Sequence, residues 1–217
     1  MDTNLLDGLS DADRDLVLSR MSRRSYATGE MLIVDGDVGD SMHIIEQGKV
    51  AVRKSTVKGE VVTLTILGPG ASFGEQALLS AGARRTAHIV ALEPVVTRAM
   101  YRSDFEALRR RHPAVERFLI EALAAQVRRL SGQVVDALYL HADQRVVKRL
   151  VDLAALYDTG RPSVEIPLRQ EDLASMAGIT RPTANRVLRQ LSASGLISVR
   201  RGRTTVLDQA ALRRMLG

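Results

Sequence analysis

The sequence lacks cysteine altogether, and aromatics make up only 3% of its 217 residues. Without a thiol there is no disulfide, no thiolate zinc site, no cysteine-held iron–sulfur cluster and no cysteine nucleophile. With so few aromatics, Leu, Val, Ile and Ala must fill any core, and a hydrophobic content of 45% is enough for them to do so. No apolar run approaches the ~18 residues that a membrane span needs. The start, "MDTNLLDGLSDADRD", is acidic and has no basic region followed by an apolar one. The expectation is a cytoplasmic, soluble protein with no membrane partner. The histidines His43, His88, His112 and His141 do not form a ligand cluster, so no metal is expected. There is no P-loop, nucleophile motif or paired acid and base, so a nucleotide-acting enzyme is only a remote alternative to a non-enzyme.

The excess charge is confined to one region. The chain carries 31 basic and 25 acidic residues, a net of +6. From Asp143 onward there are 13 basic and 7 acidic residues, so this last third holds the whole excess and residues 1–142 are neutral. No acidic residue occurs between Asp172 and Asp208. A neutral front and a basic back predict two roles, the second facing a polyanion.

The hydrophobic pattern divides the chain in the same way. Ser10 and Asp13 read as a capping box ahead of a short helix. From Tyr26 to about Met100, runs such as "SMHIIEQ", "GKVAVRKS", "VVTLTIL" and "TAHIVAL" alternate with glycine turns, which predicts an antiparallel sandwich or barrel. "SDFEALRRR" reads as a helix begun by Ser103, and Pro113 opens a long helix to about Tyr139. On that helix Leu119, Leu123, Gln126, Leu130, Gln133 and Ala137 recur at steps of four and three, a coiled-coil seam. The expected partner is a second copy of the chain, and the protein's own β domain is the alternative. A further helix runs toward Gly160. Then come a helix in "RQEDLASMAG", a turn at Gly178, a helix in "ITRPTANRVLRQLSASG" and a hairpin turning at Gly202. That order describes a winged helix-turn-helix.

In the second of those helices Thr180 is a plausible N-cap, with Pro182 and Thr183 in the first turn. Val187, Leu188 and Leu191 form its buried side, leaving Arg181, Asn185, Arg186 and Arg189 to face outward. An arginine fork fits guanine O6 and N7 or a phosphate, and Asn fits adenine edges. Arg200, Arg201 and Arg203 at the hairpin tip suit a phosphate backbone, and Arg169 and Gln170 open the first helix. Double-stranded DNA is the expected partner.

Three stretches together resemble the CRP/FNR family, the bacterial regulators of the cyclic-AMP receptor protein type. "DGDVGDSMHIIEQGKVAV" is similar to its early β-roll pattern, "LGPGASFGEQALLSAGARRTA" to its phosphate-binding cassette, and "LASMAGITRPTANRVLRQLSASGLI" to its helix-turn-helix. The resemblance implies an α+β fold: a β-roll effector domain at 1–112, a dimerisation helix and hinge at 113–142, and a winged helix-turn-helix at 143–217. It implies a homodimeric transcription regulator that reads a palindromic operator, with RNA polymerase as a further partner and a cyclic nucleotide (cAMP or cGMP) as effector. On this chain the cassette positions are Gly74, Glu75, Gln76, Ala77, Arg85 and Thr86. Glu75 would accept from the ribose hydroxyl, and Arg85 and Thr86 would hold the cyclic phosphate. Arg84 stands where the family has a small residue or proline, and no ligand role is expected of it.

Counted from Pro113 without gaps, the family's adenine-contacting Thr-Ser pair falls on Leu130 and Ser131. Leucine cannot accept from an amino group, so the base stays open. So does the alternative of a ligand-independent regulator, or one sensing a non-nucleotide effector. Arg181, Pro182 and Arg186 stand where the family's recognition helix has Arg, Glu and Arg.

Overall fold

The computed structural model describes residues 10–57, 59–112 and 114–216. They form two compact units: residues up to 61 with 65–130, and residues 131–216 with the three-residue piece 62–64. Pro113, the expected start of the long helix, lies outside the described residues.

The first unit opens with α1 (Asp11–Ser19). Ser10 Oγ accepts from the Asp13 N–H, as a cap should. The Asp13 carboxylate, however, accepts from the Ser10 hydroxyl at 2.7 Å, so the expected capping box is only half made. Eight strands follow: β1 (Ser22–Tyr26), β2 (Met31–Ile33), β3 (Ser41–Gln47), β4 (Val50–Ser55), β5 (Val61–Leu67), β6 (Ser72–Phe73), β7 (His88–Ala91) and β8 (Val95–Tyr101). They build two four-stranded antiparallel sheets, ordered β1-β8-β3-β6 and β2-β7-β4-β5. On β8 the inward positions Val95, Thr97 and Ala99 alternate with more exposed ones, the period of a half-buried strand. β3, lying between β8 and β6, is buried on both faces from Ser41 to Ile45, so it reads as a continuous run. β1 does not fit the expected start at Tyr26; its SRRS segment is exposed.

Ile33, Ile45, Val50, Leu67, Phe73, Ile89 and Val95 form one core. A second core joins Val17, Met42, Met100, Phe105, Phe118 and Leu119. Full burial of each such side chain stabilises by roughly 1.5–3 kcal/mol. Its helices are α3 (Arg102–Arg109), which starts one residue before Ser103 with Tyr101 as N-cap, and the 26-residue α4 (Ala114–Tyr139). Between β6 and β7 lies the four-residue α2 (Gln76–Leu79).

The expected seam on α4 is displaced. Leu119 is 5% exposed and packs in the second core, with Leu123 against it. The outward apolar positions are Ile120, Val127, Leu130, Val134 and Leu138. A 4–3 repeat fits two adjacent stripes of one helix equally well, and burial separates them.

The second unit holds α5 (Ala142–Tyr157), β9 (Val164–Ile166), α6 (Gln170–Met176), α7 (Arg181–Ala193), β10 (Ile197–Arg200), β11 (Arg203–Val206) and α8 (Gln209–Arg214). α5 stops three residues before Gly160, whose N–H instead donates to Asp158 in a turn. β10, β11 and β9 make a small antiparallel sheet. Val146, Leu150, Val187, Leu188 and Leu212 are buried in this unit. α8 was not foreseen, although Asp208 caps it by accepting from the Ala211 N–H.

Candidate functional site

Residues 72–77 and 83–87 form one wall of a cavity of about 600 Å³, part of it open to solvent. Gly74, Glu75, Gln76, Ala77, Arg85 and Thr86 all line it. The chain can turn tightly here because Gly74 adopts φ +85, a conformation that favours glycine. A Cβ at Gly74 would lie 2.6 Å from Arg85 Nη1 and 2.9 Å from the Ser41 carbonyl oxygen. Gly39 clears the other side, where a Cβ would lie 2.8 Å from Arg85 Nε.

Arg85 is 10% exposed at its side chain. Its Nη1 donates to the Ser41 carbonyl at 2.8 Å and to the Gly74 carbonyl at 3.3 Å, and its Nη2 donates to Ser41 Oγ at 3.3 Å. A guanidinium has five N–H donors, so two remain for a ligand. The backbone between Arg85 and the Gly36–Gly39 loop is also cross-tied. Gly36 N–H donates to the Arg85 carbonyl, and Arg85 N–H to the Asp37 carbonyl. Burial holds the guanidinium below its ordinary pKa, with Asp40 and Glu75 acting the other way.

Glu75 is 5% exposed. Its Oε1 accepts from the Ser72 hydroxyl at 2.5 Å. Among the described residues no ion pair joins it to Arg85; the carboxylate nearest Arg85 is that of Asp40, at 4.0 Å. An acceptor and a charged donor therefore sit in one cavity without neutralising each other. α2 is a single turn and Glu75 makes no side-chain cap to it. Arg84 lines the cavity too, and its Nη1 donates to the Gly36 carbonyl at 2.7 Å, which pins it to the facing loop.

His43 lies behind the cassette on β3. Its ring stacks on Phe73 with centroids 5.1 Å apart, and its Nδ1 lies 3.1 Å from Thr97 Oγ1. Burial, followed by the charge of Arg85, lowers its pKa to about 4.

Leu130 and Ser131 do not line the cavity, and Leu130 is 49% exposed. The face of α4 that reaches the cavity carries Gln126 and Arg129 instead. In the single chain the positions counted from Pro113 thus lie off the cavity lining, one turn from the residues that do line it. Phe118 and Ala122 are buried, and Gln126 and Arg129 continue their rows along the helix. Gly39 and Ser41 also went unpredicted, since they lie in a loop distant in sequence from the cassette.

In the second unit Arg169, Gln170, Arg181 and Arg201 come together with Arg200 around one cleft between the helix pair and the wing. Thr180 caps α7, its Oγ1 accepting from the Thr183 N–H and lying 2.9 Å from Thr183 Oγ1. Pro182 is exposed in the first turn. The expected outward face is only partly free. Asn185 Oδ1 is buried without a hydrogen-bond partner. Arg186 is paired with Asp143 at 2.7 Å and Arg203 with Glu165 at 3.2 Å. Arg189 donates to the Asn185 carbonyl, and Arg169 pairs with Glu171.

A two-sheet effector domain with a charged cavity, a long helix and a winged helix-turn-helix define a class: the ligand-responsive DNA-binding regulators. Residues 23–112 match the cyclic nucleotide-binding domain and residues 144–215 the Crp-like helix-turn-helix domain. The chain is 35% identical to the cyclic AMP receptor protein of Thermus thermophilus, covering 96% of this chain and 94% of that protein. It is 28% identical to a CRP-like cAMP-activated global transcriptional regulator of Mycobacterium tuberculosis, covering 87% and 85%. Among solved structures, the catabolite activator protein of Thermus thermophilus is 33% identical with a TM-score of 0.55, covering 99% and 98%. A CRP-family transcriptional regulator from the same organism is 26% identical with a TM-score of 0.76, covering 89% and 96%. The chain belongs to the CRP/FNR family: it is a transcription regulator whose DNA binding is controlled by an effector.

Proposed function

We propose that the effector is a cyclic nucleotide, cAMP or cGMP, with Glu75 on the ribose and Arg85 and Thr86 on the cyclic phosphate. The observation that carries this reading is the arrangement of Arg85. It is fixed by neutral carbonyls, has two donors unspent, and shares a cavity with an unpaired-to-it carboxylate. A bidentate guanidinium is a strong partner for phosphate, and a carboxylate accepts from hydroxyls. The cyclic-AMP naming of the Thermus thermophilus relative supports the same choice. Titration calorimetry of the purified chain tests it: wild type should bind one of the two nucleotides, and Arg85→Ala should lose that binding while staying folded. A folded wild type that gives no heat with either ends the reading.

The regulator acts as a homodimer in the cytoplasm. Ile120, Val127 and Val134 recur every seventh residue on α4 and are 62%, 61% and 55% exposed, an apolar stripe that a second copy would cover. Replacing Ile120 and Val127 by Glu should give monomers in sedimentation and loss of operator binding, because unpaired charges are costly to bury. A dimer that survives both changes places its interface elsewhere. The twofold axis would present two copies of α7 to half-sites about one helical turn apart. The wing arginines Arg200 and Arg201 would lie on phosphate.

A further inference from the structure

We propose that the α4 side of the cavity selects guanine over adenine, through the Arg129 fork with Gln126 beside it, so that cyclic GMP is the preferred nucleotide. This rests on the cyclic-nucleotide reading above. Once the cassette is assigned to ribose and phosphate, the base must meet the remaining walls. The β strands supply Ile33, Val52, Leu67 and Ile89, which are apolar. The polar groups on the α4 side are Gln126 and Arg129. They are three residues apart on a helix and therefore share a face.

Both side chains are partly covered, and among the described residues neither makes a hydrogen bond or ion pair with the protein. Among the described residues no ion pair joins Arg129 to a carboxylate; that of Asp136 is with Arg149, and that of Glu116 is with Arg109. A partly covered guanidinium with no hydrogen bond or ion pair among the described residues calls for acceptors. Guanine presents two, O6 and N7, at the spacing of the arginine fork. Its N1–H and amino group can donate to the Gln126 side-chain oxygen. Adenine presents an amino donor beside N7, which arginine has no acceptor to receive; a Gln side chain can pair with that edge, so the preference for guanine rests on the Arg129 fork alone. No hydroxyl from position 130 can rescue adenine, because that residue is Leu130, half exposed and outside the cavity.

The test is calorimetry of the full chain with cyclic GMP and cyclic AMP, using wild type, Arg129→Ala, Arg129→Lys and Arg85→Ala. Cyclic GMP should bind wild type roughly tenfold or more tightly than cyclic AMP, the size of one good bidentate base contact. Arg129→Ala should remove that preference by weakening cyclic GMP alone. Arg129→Lys, which keeps the charge without the fork, should remove it too, and thermal melts should match wild type for both. Equal or tighter binding of cyclic AMP by wild type overturns the inference and leaves the cyclic-nucleotide reading standing. So does an Arg129→Ala protein that loses affinity for both nucleotides alike, which would put Arg129 on the phosphate. An Arg129→Lys protein that retains the preference overturns the fork. Absence of binding by folded wild type to either nucleotide overturns both readings together.

Discussion

In the effector cavity Arg85 is one-tenth exposed and is held by the carbonyls of Ser41 and Gly74. At the helix-turn-helix Arg186 and Arg203 are about half exposed, and each is held by a carboxylate. The two arrangements do different work. Carbonyl dipoles fix the Arg85 guanidinium without neutralising it, and the largely exposed Asp40 carboxylate stands off at 4.0 Å, so an anion entering the cavity would meet a charge already in place. A carboxylate does neutralise a guanidinium, so DNA that used those arginines would have to displace Asp143 and Glu165. That competition is mild, because exposed ion pairs are worth only about 0–1 kcal/mol.

The sharpest way to break this contrast is Gly74→Val. A β-branched residue at φ +85, with its Cβ pressed against Arg85 and the Ser41 carbonyl, should cost about 2–5 kcal/mol in strain and overpacking. Denaturant melts should show that loss, and calorimetry should show no nucleotide binding. A variant that binds normally would mean Arg85 is not held where its function needs it. DNA-face arginines have no counterpart to this sensitivity.

Next in size is a pH effect confined to the cavity end. His43 has a folded pKa of about 4, below its ordinary 6.5, so the unfolded chain binds the proton first as pH falls. Stability from this group is complete above pH 6.5 and is lost between 6.5 and 4, by about 3 kcal/mol. Chemical denaturation across that window measures it, and His43→Asn should flatten that part of the slope. An unchanged slope in the variant would assign the effect to other groups.

Smaller effects belong to the DNA face. Arg186→Ala should lose roughly 1–3 kcal/mol of base discrimination, whereas Arg201→Ala should weaken all sequences alike and reduce the salt slope. Asp143→Asn, which frees Arg186, should tighten operator binding by at most about 1 kcal/mol. Site selection from random DNA and binding isotherms at several salt concentrations separate the three. Equal loss across all sequences for Arg186→Ala would make that residue a phosphate contact.

These details differ in how far the sequence announces them. The strands β3, β4, β5, β7 and β8 are legible because short apolar runs and glycine turns agree, whereas the two-residue β6 is too short to give a pattern. β1 is not legible either, since Ser22 to Ser25 are all exposed and the segment is a strand only through its pairing with β8. The cassette is legible because Gly74 to Thr86 is one contiguous stretch. Its supports Gly39 and Ser41 are not, because a distant loop brings them in. Gln126 and Arg129 require the rotational phase of α4, which burial shows and residue spacing alone does not. The arginines of α7 and the wing are evident as a basic cluster, but their pairing with Asp143 and Glu165 depends on tertiary placement.

α4 has a further consequence as a rotor. Within the first unit, Gln126 and Arg129 project to the cavity side of the helix, and Ile120 and Val127 project away from it. Side-chain tips lie about 5–6 Å from a helix axis, so a twist of about 10° about that axis carries every tip through about 1 Å. A ligand that pulls on the inner pair would thus move the outer stripe by the same arc and in the opposite direction. Close-packed helix seams do not absorb 1 Å smoothly; they switch between discrete fits. A small torque from a base edge is in this way convertible into a choice between two registers of the outer stripe.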